Sequence, residues 1–362
     1  MVDEDLGAVE LPTETRVRAL PVVPLLAGAA RLPGRLRRWA WGISLEETRP
    51  ERRGFTIDDP RTAERLTRVG TTFLLGYHSA LGDPRPEPLA ERLEALEPGW
   101  RGFAYEGAGL GLALLDALSP WPARRLRRFV AGPAARHRYL VYVGAGWTLA
   151  RMPRRLGAML GGLGDTLLQW LALDGYGFHH GFFDWRRTVA GPRRVPRRLT
   201  GYARRAFDFG LGRSLWFVHG MDPERIATSI EGFAPERRGP LWSGVGLACA
   251  FAGGLAPAGV AELRRRAGSH APDAAQGAAF GARAHLEAED VPVHLDEVCR
   301  VLCGLSAREA GELTERTAAG LPADDGSLHN PEPAYEIWRR RTRRALSANA
   351  ARSGSADEET PP

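Results

Sequence analysis

The sequence predicts an all-α fold of tandem helical hairpins: a tetratricopeptide-like α-solenoid carrying an internal duplication of about 137 residues. Three observations predict it. The segment from Tyr105 (YEGAGLGLALLDALSP) lies over that from Trp242 (WSGVGLACAFAGGLAP) without a gap. Over 105–149 this shift of 137 gives 13 identities in 45 positions, against about four or five by chance in a chain so rich in Ala, Gly, Arg and Leu. Glycines in small-residue or aromatic settings recur at Gly70, Gly107, Gly144, Gly177, Gly210, Gly244 and Gly281, separated by 37, 37, 33, 33, 34 and 37 residues. That is the length of a helix–turn–helix repeat. Finally, apolar residues follow the helical period, as with Tyr139, Val143 and Trp147, which share one face of a helix.

The period places first helices near 63–78, 103–118, 134–150, 175–186, 206–219, 240–253 and 272–288. Second helices follow near 88–97, 122–130, 156–172, 196–205, 222–232, 258–267 and 293–303, and two closing helices near 306–319 and 332–348. Tyr139–Val143 taken alone reads as a strand, being β-branched and aromatic. Its counterpart under the 137 shift is alanine-rich and helical, so both read as helix. The repeated glycines let two helix backbones approach closely, at about 1 kcal/mol of propensity each. The last helix sets Tyr335, Trp338, Thr342 and Leu346 on one stripe and reads as a cap packed by that side.

Residues 1–40 read as an N-terminal segment, acidic over about 1–12 and partly disordered. Residues 41–350 read as a single helical-repeat domain with pseudo-halves of about 60–190 and 196–320, and 351–362 as a disordered tail. All 49 basic residues are arginine and the formal net charge is +6. The arginines are spread along the chain, and runs such as 124–128 and 339–344 read as solvated helix faces, which argues against nucleic acid as a partner. Three cysteines, Cys249, Cys299 and Cys303, are too few for a disulfide framework. The short apolar run Pro21–Ala30 follows acidic residues, unlike a secretion signal, and no stretch has the length of a membrane span. A soluble, cytoplasmic protein is the expectation.

The densest chemistry lies in LDGYGFHHGFFDW at 173–185, with Asp174, Tyr176, His179, His180 and Asp184. Histidines and carboxylates together suit acid–base work, so His179, His180, Asp184 and the more distant Glu106 are the catalytic candidates. Adjacent histidines point about 100° apart on a helix, and no further ligand completes a metal site, so neither a metal nor a cofactor is expected. Cys299 and Cys303, at i, i+4 near His294, lack a fourth ligand and read as buried apolar residues. The glycine-rich EGAGLG at 106–111 lacks the strand that a dinucleotide fingerprint needs. The two halves also differ: Glu106 faces Ser243 and Trp147 faces Ala284 under the shift. A carboxylate and aromatics confined to one copy suggest a pocket there, with Tyr105, Trp147 and Tyr176 as ligand-binding candidates.

Laid out together, FAYEGAGLGLALLDAL (103–118), YVGAGWTLAR (142–151), LDGYGFHHGFFD (173–184), RAFDFGLGRSLWFV (205–218) and LWSGVGLACAFAGG (241–254), with RRGF (52–55) and AAQGAAFGARA (274–284), resemble a bacterial family of unknown function known as enediyne biosynthesis proteins. The likeness covers about 40–340. It implies a place in the biosynthesis of enediynes or related polyketide secondary metabolites, and brings no reaction, cofactor or catalytic residue. The expectation is an accessory protein that binds a hydrophobic polyketide intermediate or the biosynthetic enzymes. The alternatives are a tailoring enzyme acting on a polyene or enediyne intermediate, and a protein-interaction scaffold.

Overall fold

The computed structural model describes residues 32–119, 124–152 and 156–358, with backbone alone over 353–358. The expectations for 1–12, for Pro21–Ala30 and for most of the SPWP turn lie outside the described residues. Among the described residues the chain is all-helical, with no strand and seventeen α-helices. Tyr139–Val143 lies within a helix.

Seven helices form an inner row: α3 (Pro60–Gly82), α5 (Arg101–Ala117), α7 (Arg138–Arg151), α9 (Trp170–Phe183), α10 (Tyr202–Val218), α12 (Pro235–Ala252) and α14 (Ala271–Glu287). Each packs along the next. Shorter helices lie outside them: α4 (Pro86–Glu94), α6 (Arg125–Ala131), α8 (Leu156–Leu163), α11 (Pro223–Glu231), α13 (Pro257–Ala267) and α15 (His294–Cys303). The chain opens with α1 (Gly34–Trp41) and α2 (Pro50–Arg53), and closes with α16 (Ala307–Ala318) and α17 (Ala334–Glu358). Local sequence marks many of these starts. Pro60 and Pro223 open α3 and α11 behind Asp59 and Asp222, whose carboxylates accept backbone N–H bonds. Ser306 and Glu309 form a reciprocal capping box on α16.

Inner helices are buried around almost their whole circumference, as α5 is from Gly102 to Leu115. Glycine makes this possible at defined points. In α5, α7, α9, α10 and α12 a Gly-x-Gly pair sets one glycine against the preceding inner helix and the other against the following one. A Cβ on Gly107, Gly144, Gly175, Gly210, Gly244 or Gly277 would overlap the backbone carbonyl of Phe73, Glu106, Val143, Asp174, Phe209 or Ser243 respectively. A Cβ on Gly109, Gly146, Gly177, Gly212 or Gly246 would overlap that of Val141, Ala172, Phe207, Leu241 or Ala274. Side chains cannot occupy these crossings, so the helices meet backbone to backbone. The glycines that hold the contacts differ in places from the expected ladder. In α9 both Gly175 and Gly177 hold crossings, and in α14 Gly277 takes the backbone contact that the ladder gave to Gly281. A constant shift of 137 carries Gly107 to Gly244 but overshoots at α14, because only 33 residues separate Gly244 from Gly277, against 37 between Gly107 and Gly144.

The row is curled. Phe103 at the start of α5 meets Phe251 near the end of α12, with ring centroids 5.2 Å apart. Arg138 of α7 pairs with Glu287 of α14 at 2.7 Å, and the Asp290 carboxylate accepts the Gly99 N–H at 2.6 Å. Inward-facing side chains therefore surround a common centre. The segment 43–55 covers one end, where Arg53 donates to the Phe183 carbonyl at 2.9 Å. Helix α17 seals the other, with Tyr335, Trp338, Thr342 and Leu346 all buried.

Several differences from the sequence reading have clear causes. No separate α-helix occupies 196–201, and 202–205 already belong to α10; α9 is followed by a π-turn at Arg186–Ala190 and a proline-containing loop, then α10 packs directly on α9. Prolines at 192 and 196 deny that stretch a continuous helical hydrogen-bond ladder. The tail expected to be disordered from 351 continues α17 to Glu358, consistent with its alanine and arginine content. Finally, Arg339 belongs to a run read as solvated, yet it is buried.

Candidate functional site

The residue just before each packing glycine is buried, and several of these residues carry polar groups. In chain order these are Glu106, Val143, Asp174, Phe209, Ser243 and Gln276. Three residues after the glycine stand Leu110, Trp147, Phe178, Arg213, Leu247 and Phe280. Arginine is the sole charged member of that second set.

Two buried polar groups result. In the first, Arg213 Nε donates to Asp174 Oδ1 at 2.8 Å, while Arg213 Nη2 lies 3.9 Å from Glu106 Oε1. The guanidinium also sits 5.0 Å from the centre of the Phe178 ring. In the second, Arg339 donates to Ser243 Oγ at 2.6 Å, to Gln276 Oε1 at 2.9 Å and to the Tyr335 hydroxyl at 3.1 Å, and lies 3.6 Å over the Phe209 ring. Burial pushes the Glu106 carboxyl up to about 7; Arg213 opposes this and Asp174 adds to it. Burial raises Asp174 too, against Arg213 and Arg339.

Glu106 and Arg213 line a cleft at this centre with Val69, Phe73, Trp147 and Phe178. Its wall is otherwise almost wholly apolar, completed by Phe103, Phe217, Ala248 and Phe251, with Ile43, Glu47 and Thr48 from the covering segment. The cleft leaves about 690 Å³ of space between protein atoms, counted out into the open solvent at its edge. Trp147 stacks on Phe73 at 4.3 Å between ring centres. Its Nε1 lies beside Glu106 without closing a hydrogen bond.

The sequence candidates divide. Glu106 and Trp147 reach the cleft. Tyr105 and Tyr176 do not line it, since neighbours on a helix diverge by about 100° and next neighbours by about 200°. Tyr105 donates to Glu94 Oε1 at 2.7 Å and stacks on His137 at 3.9 Å; burial, then Glu94, raises its pKa. The Tyr176 hydroxyl accepts from Arg198. His179 packs against Trp147 and Phe183 behind the cleft wall, with ring centres 5.5 and 4.7 Å away. Burial, reinforced by Arg151, His180 and Arg53, holds it neutral, well below the ordinary histidine range. His180 turns to Tyr176 and Phe207. Asp184 ends α9 and lies 3.9 Å from Arg187. The four catalytic candidates are thus not brought to one point. Asp174 and Arg213, the partners of Glu106, were not among them. The signal for Arg213 was its register, three residues after Gly210 in a position otherwise apolar or aromatic.

The cysteines are buried, Cys303 Sγ donating to the Ala275 carbonyl at 3.3 Å. Among the described residues no cluster of three or more His, Cys, Asp or Glu side chains is placed to hold a metal ion. No helix among them is long and apolar enough to cross a membrane.

These features define a class: a curled all-helical array enclosing an apolar cleft with a charged group in its wall. The chain belongs to the family described as "Protein of unknown function (DUF1702)", whose model matches residues 32–346. No curated protein and no solved structure matches it.

Proposed function

We propose that the protein is an accessory factor of enediyne or related polyketide biosynthesis that encloses one end of a linear, hydrophobic intermediate in its central cleft. The observation that carries this reading is the aromatic and aliphatic lining of a cleft that opens to solvent, a setting suited to apolar ligands. The space of about 690 Å³ between protein atoms is of the size that takes a small apolar ligand such as an alkyl or polyene chain. On this reading the glycine crossings reflect an array grown by copying helical hairpins in the tetratricopeptide manner, with cytoplasm as its compartment.

Equilibrium dialysis against 2,4-decadien-1-ol tests the proposal. Saturable binding of one molecule per chain is expected. Ala248→Leu, which fills the cleft from α12, is expected to weaken it at least tenfold with an unchanged circular dichroism spectrum. Val69→Met on α3 is the second filling variant. Absence of saturable binding, or equal binding by wild type and both variants, would overturn the proposal.

A second reading, a tailoring enzyme, draws on one observation. A carboxyl held near neutrality inside an apolar cleft suits proton transfer to a bound polyene. Turnover of a linear polyene by wild type and none by Glu106→Gln would favour it.

A further inference from the structure

Two buried donors beside Glu106 lack acceptors. Arg213 Nη2 and Trp147 Nε1 make no hydrogen bond, although their residues are only 7% and 5% exposed and both line the cleft. Buried donors are rarely left unpaired, because desolvating them costs about 1–3 kcal/mol each. Both adjoin the same carboxyl group: Nη2 lies 3.9 Å from Glu106 Oε1, and the indole N–H acts on Glu106 from α7. Three polar groups therefore converge on one spot of an otherwise apolar wall.

The charged groups around Glu106 are few. Asp174 from α9 and Arg213 from α10 are the charged groups acting on Glu106, and Arg339 of α17 acts on Asp174. Helices α3 and α12 contribute only uncharged residues to the cleft, and Glu47 is paired with Arg52 and Arg53. With Glu106 protonated, Asp174 is the one carboxylate paired with Arg213, while Glu336 acts on Arg339 outside the cleft.

We infer that the cleft is built for a linear chain bearing a carboxylate at its inner end, one oxygen accepting from Arg213 Nη2 and Trp147 Nε1 and the other facing the Glu106 carboxyl group. The ligand class is thus a linear unsaturated or saturated carboxylic acid. This rests on the proposed binding of a linear chain, and the experiment separates the two.

Three probes of equal chain length serve: 2,4-decadienoic acid, 2,4-decadien-1-ol and 1,3-decadiene, dialysed against the full chain at pH 6 and pH 8.5. The acid is ionised at both. At pH 6 it is expected to bind at least tenfold more tightly than the hydrocarbon. Raising the pH ionises Glu106, which then repels the ligand carboxylate. For a carboxyl titrating at about 7, affinity for the acid falls about 30-fold by pH 8.5. Glu106→Gln is expected to abolish that fall, and Arg213→Met to equalise acid and hydrocarbon. Where Arg213→Met fails to fold, the Glu106→Gln profile decides. Equal, pH-independent binding of all three probes overturns the inference, the donors then facing water, but leaves the chain-binding reading intact. Binding of none overturns both.

Discussion

Arg213 occupies a position that other inner helices give to Leu110, Trp147, Phe178, Leu247 and Phe280. Placing a guanidinium there requires an acceptor, supplied by Asp174 at 2.8 Å, since an unpaired buried charge costs several kcal/mol. Glu106 is the second carboxyl, and its environment has a measurable consequence. In the folded chain it titrates at about 7; unfolded, it returns to the ordinary glutamate value. Between the two the folded state holds a proton that the unfolded state has released, so this group's contribution is full at low pH and is lost as the pH rises to 7. Glu106→Gln removes that dependence. The variant is expected to gain about 3 kcal/mol relative to wild type between pH 4 and pH 8, read from urea denaturation at each pH. A difference that stays constant with pH would contradict the burial assigned to Glu106. Glu106 and Trp147 stood out in the sequence because Ser243 and Ala284 lie opposite them under the shift of 137. The sequence hid Arg339 because a run of arginines carries no sign of which one turns inward, and it marked Arg213 only by its register after Gly210. Tyr105 adjoins Glu106 and Tyr176 lies two residues from Asp174 in sequence, yet neither lines the cleft.

Among the elements, the inner helices were legible almost to their ends, since small residues at fixed intervals and apolar spacing both follow from close helix packing. The absence of a separate helix at 196–205 was obscured by the assumption that every hairpin has two members. The register slip at α14 arose because connecting segments vary in length, whereas the crossing point does not. Helix crossings set the energetics at this scale. Gly144→Ala drives a methyl group into the Glu106 carbonyl, where only separation of α5 and α7 relieves the clash. A loss of about 3 kcal/mol or more is expected. Gly161, on α8, has nothing within 4 Å of where its Cβ would sit, so Gly161→Ala is expected to stabilise by about 0.5–1 kcal/mol through helix propensity. Thermal melts of the two variants test this contrast. A tolerated Gly144→Ala would contradict the backbone contacts described.

For the molecule as a whole, curling brings α5 to α12 and α7 to α14, so residues far apart in sequence share one interior. The covering segment 43–55 and helix α17 close the two ends of that interior, leaving an apolar cleft with its charged wall. This wholesale arrangement was not legible from periodicity, which reports the order of helices and not how tightly their row is wound. Photolabelling tests the cleft as a ligand site most directly. A linear fatty acid carrying an alkyl diazirine at mid-chain is irradiated with the full chain, and the labelled peptides are mapped by mass spectrometry. The account predicts labels on peptides holding Phe73, Trp147 and Phe178, from α3, α7 and α9 together, suppressed by excess 2,4-decadienoic acid. Labels confined to exposed outer helices, or unaffected by competitor, would contradict it.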